Sequence, residues 1–180
     1  MREAVIVSTA RTPIGKAFRG AFNDTQAQEM AGHAIAEAVK RSKVSKEEID
    51  DVIIGAAGQQ GSQQGNIARQ SLLRAGLPVS VAGMSLDRQC ASGMMAIATA
   101  AKEITEDGMT ITVGGGVESV SLVRNENFRM DRARDPWLEE NIPALYMTMI
   151  ETAENVAKRY GISREAQDEY SLQSQMRTAK

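Results

Sequence analysis

The chain has 180 residues, a formal net charge of -2, and 42% hydrophobic and 24% charged residues. A length in this range favours one domain that buries roughly 70% of its unfolded surface, and the near-neutral balance gives no electrostatic argument for nucleic acid or an anionic membrane as a partner. A single cysteine and a single histidine exclude an intrachain disulfide framework and a Cys/His zinc cluster, which fits a reducing compartment, and no apolar run reaches the ~18 residues of a membrane span.

The N-terminus starts directly in a strand pattern, Glu3 to Thr9, with Val5-Ile6-Val7 at its centre. No apolar signal region or Arg/Ser-rich transit segment precedes it, so the expected compartment is the cytoplasm, or the chain is already processed. Arg11-Thr12-Pro13-Ile14-Gly15 turns the chain, with Pro13 fixing φ and removing a ladder donor. Thr25 and Gln28 have capping-box spacing. Behind them Met30, Ala31, Ala34, Ile35, Ala38 and Val39 form a helical stripe that faces a core. His33 lies beside that stripe and reads as a partly buried packing residue rather than a base.

Ser45 and Glu48 repeat the capping-box pattern over a very short helix. Val52-Ile53-Ile54-Gly55-Ala56 follows as a continuous apolar run, suited to a strand covered on both faces. The polar loop Gly58 to Asn66 carries three glycines, but at neither dinucleotide-fingerprint nor P-loop spacing. Asn66 is the expected N-cap of a helix over 67–75 that Gly76 ends. Val81 to Leu86 is a third strand, read as buried, and Gly93 to Ile104 is rich in helix formers. Met109 to Val113 is the fourth strand, followed by the glycine triplet of Gly114-Gly115-Gly116-Val117-Glu118-Ser119, where backbone must pass close to something. Strands alternating with helices imply a parallel sheet covered by helices, with ligands at the carboxyl ends of the strands.

The solitary thiol, Cys90, falls in Leu86-Asp87-Arg88-Gln89-Cys90-Ala91-Ser92-Gly93, between a strand and the helix after it. Unpaired N–H groups and the positive end of the macrodipole favour an anion there, hence a thiolate. The same N–H groups suit an oxyanion formed when sulfur attacks a carbonyl. By position alone, a buried structural cysteine remains the alternative.

From Arg124 to Trp137 the chain is charged and aperiodic, as in a solvated excursion. Helices are expected over 149–160 and 164–179, separated by Gly161 and with Ser163 as cap of the second; Met147 and Met149 read as gap-filling residues or pocket contacts. The last helical pattern is still running at the final residue, so the sequence reads as part of a larger enzyme.

The stretch Asp87 to Gly93, together with Gly114 to Ser121 and Thr152-Ala153-Glu154-Asn155-Val156-Ala157, resembles the thiolases in three places and in the right order; Arg11 to Gly15 and Asn66-Ile67-Ala68-Arg69-Gln70 add two more. The resemblance implies an α/β, thiolase-like fold. Residues 1–120 would be an N-terminal βαβαβαβ core half on a mainly parallel sheet, lacking its last strand, and 121–180 the start of a loop or cap domain. It also implies an acyl-CoA C-acyltransferase acting on 3-ketoacyl-CoA and CoA as substrates, with no permanently bound cofactor and no metal. Cys90 aligns with the family nucleophile that takes the acyl group as a thioester, and its N–H with an oxyanion hole. Met149 aligns with a substrate-side methionine. The stretch around Asn66 to Gln70 resembles a dimer contact, which implies a homodimer or homotetramer.

The family's base histidine, second catalytic cysteine and second oxyanion hole lie in a C-terminal half, so turnover is expected to need that half as partner, and the chain alone is expected to be inactive. His33 aligns with no catalytic position. Thr148 stands where short-chain biosynthetic members carry a histidine, which leans the expectation towards degradative fatty-acid thiolysis. A 3-ketoacyl synthase and a non-catalytic lipid-carrier module are the alternative readings.

Overall fold

The computed structural model describes residues 2–179. The chain divides into two compact units, one up to Phe128 and one from Arg129 onward. The first unit is built on a parallel sheet of three strands, β1 (Asp51–Gly55), β2 (Ala82–Leu86) and β3 (Thr112–Gly116), in the order β2-β1-β3. Ile53 pairs with Met84 on one side and with Gly114 on the other.

The central strand β1 is buried throughout, as its unbroken apolar run predicts. Its side chains alternate between two cores. Val52 and Ile54 pack with Ile35 and Val39 of helix α1 (Ala27–Ser42) and with Ile67 and Leu72 of helix α2 (Ile67–Arg74). Ile53 points the other way, onto Ala96 and Ala100 of helix α3 (Ser92–Thr105). Each fully buried large aliphatic side chain contributes ~1.5–3 kcal/mol, so this strand anchors both layers.

Helix α1 buries Ala27, Ala31, Ile35 and Val39 at four-residue spacing. Its N-cap is Gln26, which makes no side-chain cap bond, rather than the expected Thr25. His33 lies on the exposed face of this helix and is not the packing residue that the sequence suggested. The 3₁₀ turn Lys46–Glu48 does form behind Ser45, whose N–H donates to the Glu48 carboxylate at 3.1 Å. Asn66 caps α2 as expected, its side chain accepting from the Arg69 N–H at 3.0 Å.

Three strand expectations are corrected. Glu3 to Thr9 forms no strand, and Ile6 is 77% exposed. Side chains hold the segment: Ser8 Oγ donates to the Ala38 carbonyl at 2.6 Å, and Arg41 donates to the Thr9 carbonyl at 2.9 Å. A strand needs a neighbour for its N–H and C=O groups, and β-branched residues supply propensity without supplying that neighbour. Strand β2 is half-exposed rather than buried, because it pairs on one side alone among the described residues.

Strand β3 runs over Thr112–Gly116 instead of Met109–Val113, so the glycine triplet lies inside it. The Asp50 carboxylate accepts from the N–H groups of Thr110 and Ile111 at 2.7 and 3.1 Å. That holds the approach to the strand in a turn and delays pairing until Asp51 meets Thr112. The triplet then lets α3 approach: a Cβ on Gly114 would stand 2.7 Å from the Ile97 Cα. Short helix α4 (Val120–Val123) closes the first unit, with Val123 buried.

The second unit contains α5 (Pro136–Asn141), a 3₁₀ turn (Pro143–Tyr146), α6 (Met149–Tyr160) and α7 (Arg164–Thr178). Part of the supposed excursion is thus ordered. Asp135 caps α5 by accepting from the Leu138 N–H at 3.0 Å, and Arg134 stacks 4.7 Å from the Tyr146 ring centroid. Gly161 ends α6 in the left-handed region, φ 63, and Ser163 caps α7. Among the described residues no helix is long and apolar enough to cross a membrane.

Candidate active site

Cys90 sits on a turn at the carboxyl end of the sheet, exposed to solvent. Helix α3 begins at Ser92 with Ala91 as its N-cap, so the cysteine lies one residue before the cap rather than within the helix. Gln89 holds a left-handed φ of 49, a conformation that disfavours most side chains and here reverses the chain just before the thiol. The turn is stitched internally. Asp87 Oδ1 accepts from the Gln89 N–H at 2.6 Å, and Ser92 Oγ accepts from the Arg88 N–H at 2.8 Å while donating to the Gln89 carbonyl at 2.6 Å. The Cys90 N–H makes no hydrogen bond among the described residues. It is therefore free to donate to a negative oxygen on a carbonyl attacked by the adjacent sulfur.

The turn rests on the strand ends. A Cβ on Gly55 would lie 2.2 Å from the Ser92 carbonyl carbon, and one on Gly116 would lie 3.0 Å from the Gly93 Cα. The Val117 N–H donates to the Gly55 carbonyl at 3.1 Å, joining the ends of β1 and β3. Beside this junction opens a cavity of about 670 Å³, bordered by Cys90, Gln89, Glu118, Asn23, Arg11 and Arg124 among others. Among the described residues no group of three or more His, Cys, Asp or Glu could hold a metal ion.

A hydrogen-bond network that is buried at Gln63 and Ser119 and exposed at Glu118 lies at this junction, beyond what the sequence reading anticipates. Glu118 accepts from the N–H groups of Ala57 and Gly58 at 2.8 and 3.2 Å and from Gln63 Nε2 at 2.6 Å. Gln63, 1% exposed, also accepts from the Ser119 N–H. The one signal for it is an acidic residue two positions after a glycine-rich strand; a glutamine in a polar loop carries no mark of burial. The Asn66 to Gln70 stretch likewise serves the first unit internally. Asn66 Nδ2 donates to the Gly83 carbonyl at 2.8 Å, and Gln70 Nε2 donates to the Gln64 carbonyl at 2.7 Å.

Met149 stands on the first turn of α6 in the second unit and is 76% exposed, which removes the reading of it as core filling. Thr148 caps that helix, accepting from the Glu151 N–H at 3.2 Å. Met147 Sδ accepts from Asn155 Nδ2 at 3.0 Å. His33 does not border the cavity.

Fold and site together define an α/β protein with an exposed cysteine on a strand-to-helix turn at the carboxyl end of a parallel sheet. The family model described as "Thiolase, N-terminal domain" matches residues 4–180, and the chain belongs to the thiolase family. It is similar to a 3-ketoacyl-CoA thiolase of Bacillus subtilis (strain 168), 40% identical over 100% of this chain and 46% of the relative. It is also similar to a 3-oxoadipyl-CoA/3-oxo-5,6-dehydrosuberyl-CoA thiolase of Escherichia coli (strain K12), at 39% identity over 100% of this chain and 48% of the relative. An acetyl-CoA acetyltransferase of Cupriavidus necator is 40% identical over 97% of this chain and 47% of its own length. The chain spans about half the length of the curated relatives it matches.

Proposed function

We propose that this chain supplies the nucleophile half of an acyl-CoA C-acyltransferase. The observation that carries the reading is an exposed Cys90 with a free backbone N–H beside a sizeable cavity, in a thiolase-family chain. In the cleavage direction the Cys90 thiolate attacks the C3 carbonyl of a 3-ketoacyl-CoA. The C2–C3 bond breaks, and its electron pair passes to C2, which takes up a proton and leaves as acetyl-CoA. The remaining acyl group stays on Sγ as a thioester until the thiol of a second CoA attacks it and releases the Cys90 thiolate. Dividing the reaction this way separates carbon–carbon cleavage from delivery to CoA. The reverse sequence is a Claisen condensation.

The base and the proton donor belong, in this reading, to polypeptide outside this chain, which accords with the chain's share of its relatives' length. A second observation supports that dependence. Met94 and Ile97 on α3 are 77% and 47% exposed, and Ala98 beside them is exposed as well. Helix α3 is therefore apolar on both faces, the pattern of a helix covered on both sides. We assign the covering to the C-terminal half, and expect the chain without it to show no thiolysis.

The finer assignments follow the same resemblance. CoA and acyl-CoA are substrates rather than bound cofactors, and Met149 contacts the substrate from the cap segment that starts near Ser121. The enzyme is a cytoplasmic homodimer or homotetramer. Thr148, in place of a histidine, favours the degradative direction on fatty-acyl substrates.

The test is to incubate the complete protein with radiolabelled acyl-CoA, digest it and locate the label. A thioester on the peptide holding Cys90 is expected; label found elsewhere and absent from that peptide refutes the assignment. Acyl-CoA binding that survives Cys90→Ala, with no acyl-enzyme formed by the unmodified protein, identifies a carrier module instead.

A further inference from the structure

We propose that Glu118 is a positioning residue for Cys90. The inference rests on the reading of Cys90 as the nucleophile and extends it to the group that holds the cysteine's seat in place. Among the described residues no long side chain of the turn bearing Cys90 anchors it to the sheet; it sits backbone to backbone on Gly55 and Gly116. Its position is therefore as well defined as the ends of β1 and β3, and each of those strands runs straight into a loop.

Glu118 ties those two loops together. Its carboxylate takes two backbone N–H groups from the loop after β1, at Ala57 and Gly58, and the side-chain amide of Gln63 from the 3₁₀ turn Gly61–Gln63. Gln63 returns the link by accepting from the Ser119 N–H, next to Glu118 itself. The closed circuit joins residues 57, 58, 63, 118 and 119, and it lies one or two peptide units from the Val117 N–H to Gly55 carbonyl bond that fastens the strand ends.

Every partner of the carboxylate is a donor, so an acceptor-only group is required at this position. Gly58 N–H and Gln63 Nε2 share Oε1 while the Ala57 N–H takes Oε2, so an amide would turn its own donor towards one of these sets and leave that set without its acceptor. Glu118 also borders the cavity beside Cys90, so a relaxed circuit would change the shape of the wall as well as the position of the turn. Displacements on the 1 Å scale at a reacting group cost up to about a hundredfold in rate.

The test is the rate at which iodoacetamide alkylates Cys90 at pH 7, followed on the Cys90 peptide in the complete protein, together with thermal melting. The unmodified protein should react faster than a short peptide of the same sequence. Glu118→Gln should slow alkylation by about tenfold or more, and Glu118→Asp, which keeps the acceptor oxygens, should recover to within about threefold at a comparable melting temperature. Glu118→Gln reacting like the unmodified protein, or Glu118→Asp as slow as Glu118→Gln at matched melting temperature, overturns the positioning role. If Glu118→Gln does not fold, Gln63→Ala carries the same test: slowing by about twofold or more supports the circuit, and an unchanged rate overturns it. An unmodified protein that reacts no faster than the peptide refutes the nucleophile reading itself, a failure separable from that of Glu118.

Discussion

Gly55 and Ser92 meet backbone to backbone: a Cβ on Gly55 would stand 2.2 Å from the Ser92 carbonyl carbon and 2.3 Å from its oxygen. The end of the central strand is in this way the floor of the cysteine turn. Gly55→Ala must push that turn away, and the expected loss of unfolding free energy is about 3 kcal/mol. Gly115→Ala is the natural control, because a Cβ there meets Ile54 Cδ1 at an ordinary 3.7 Å. It should change stability by less than about 1 kcal/mol, towards stabilisation. Urea denaturation of the two variants measures the difference.

Acid sensitivity follows from carboxylates at the amino end of the sheet. Burial pushes Asp51 above its ordinary value against the pull of its bond from the Val52 N–H, and nearby Asp50 pushes the same way. Burial likewise raises Glu103, helped by Asp51 and Asp107. Asp50 is lowered by the bonds it accepts from the Thr110 and Ile111 N–H groups. For the raised pair the native state binds protons more tightly than the unfolded chain, so their penalty is complete above the native values and fades as pH falls through them. Asp50 contributes above its unfolded value of about 4 and loses that contribution below it. Stability should therefore rise on mild acidification from pH 7 and fall again below about pH 4, as read by melting temperature against pH.

Glu103→Gln isolates one member of that set. Glu103 is 7% exposed, and its Oε2 has no hydrogen-bond partner among the described residues. Removing the charge should raise stability at pH 7 by about 1 kcal/mol, or ~2–4 °C in melting temperature for a chain of this size. The rise on acidification should shrink in the same variant. Unchanged melting at pH 7 with an unchanged acid profile would show that Glu103 carries no such penalty.

Asn66 combines two functions that one pair of substitutions separates. It caps α2 and also bonds the Gly83 carbonyl, while its φ of 64 lies in the left-handed region. Asn66→Ala should cost about 2 kcal/mol, from the lost cap and from a Cβ held in that region. Asn66→Gly should recover about half of this, since glycine tolerates the backbone and is itself an acceptable cap. Chemical denaturation of both variants decides.

In the second unit Thr148 and Glu151 form a capping box at the start of α6, the Thr148 N–H donating to Glu151 at 2.8 Å. Thr148→Ala should destabilise the first turn of that helix by about 1 kcal/mol and Thr148→Ser should not. Amide exchange at residues 149–153 reads this directly. The capping role also gives a local physical reason for threonine at this position.

Much of the fold was legible because it depends on local pattern. The uniform apolar run of Val52 to Ala56 announced a strand covered on both faces, the helical spacing of Ala31, Ile35 and Val39 announced α1, and Asn66, Gly161 and Ser163 marked helix ends correctly. These signals act within one turn or one strand. The misplacements involve partners distant in sequence. Thr112 rather than Met109 starts β3 because Asp50 captures the intervening N–H groups, and Val5 to Val7 joins no ladder because among the described residues no strand pairs beside it.

The candidate site divides in the same way. Cys90 was legible from the sequence as a lone thiol between a strand and a helix, within stretches that resemble the thiolases. The seat beneath it required the tertiary structure. Only the packed sheet brings Gly55, Gly116 and Ser92 within backbone contact, and only there do Glu118 and Gln63, 55 residues apart, share a hydrogen bond. Residue types and spacing specify which groups can do chemistry; close approach of distant backbone, which depends on the absence of Cβ atoms and on the burial of polar groups, decides where those groups stand.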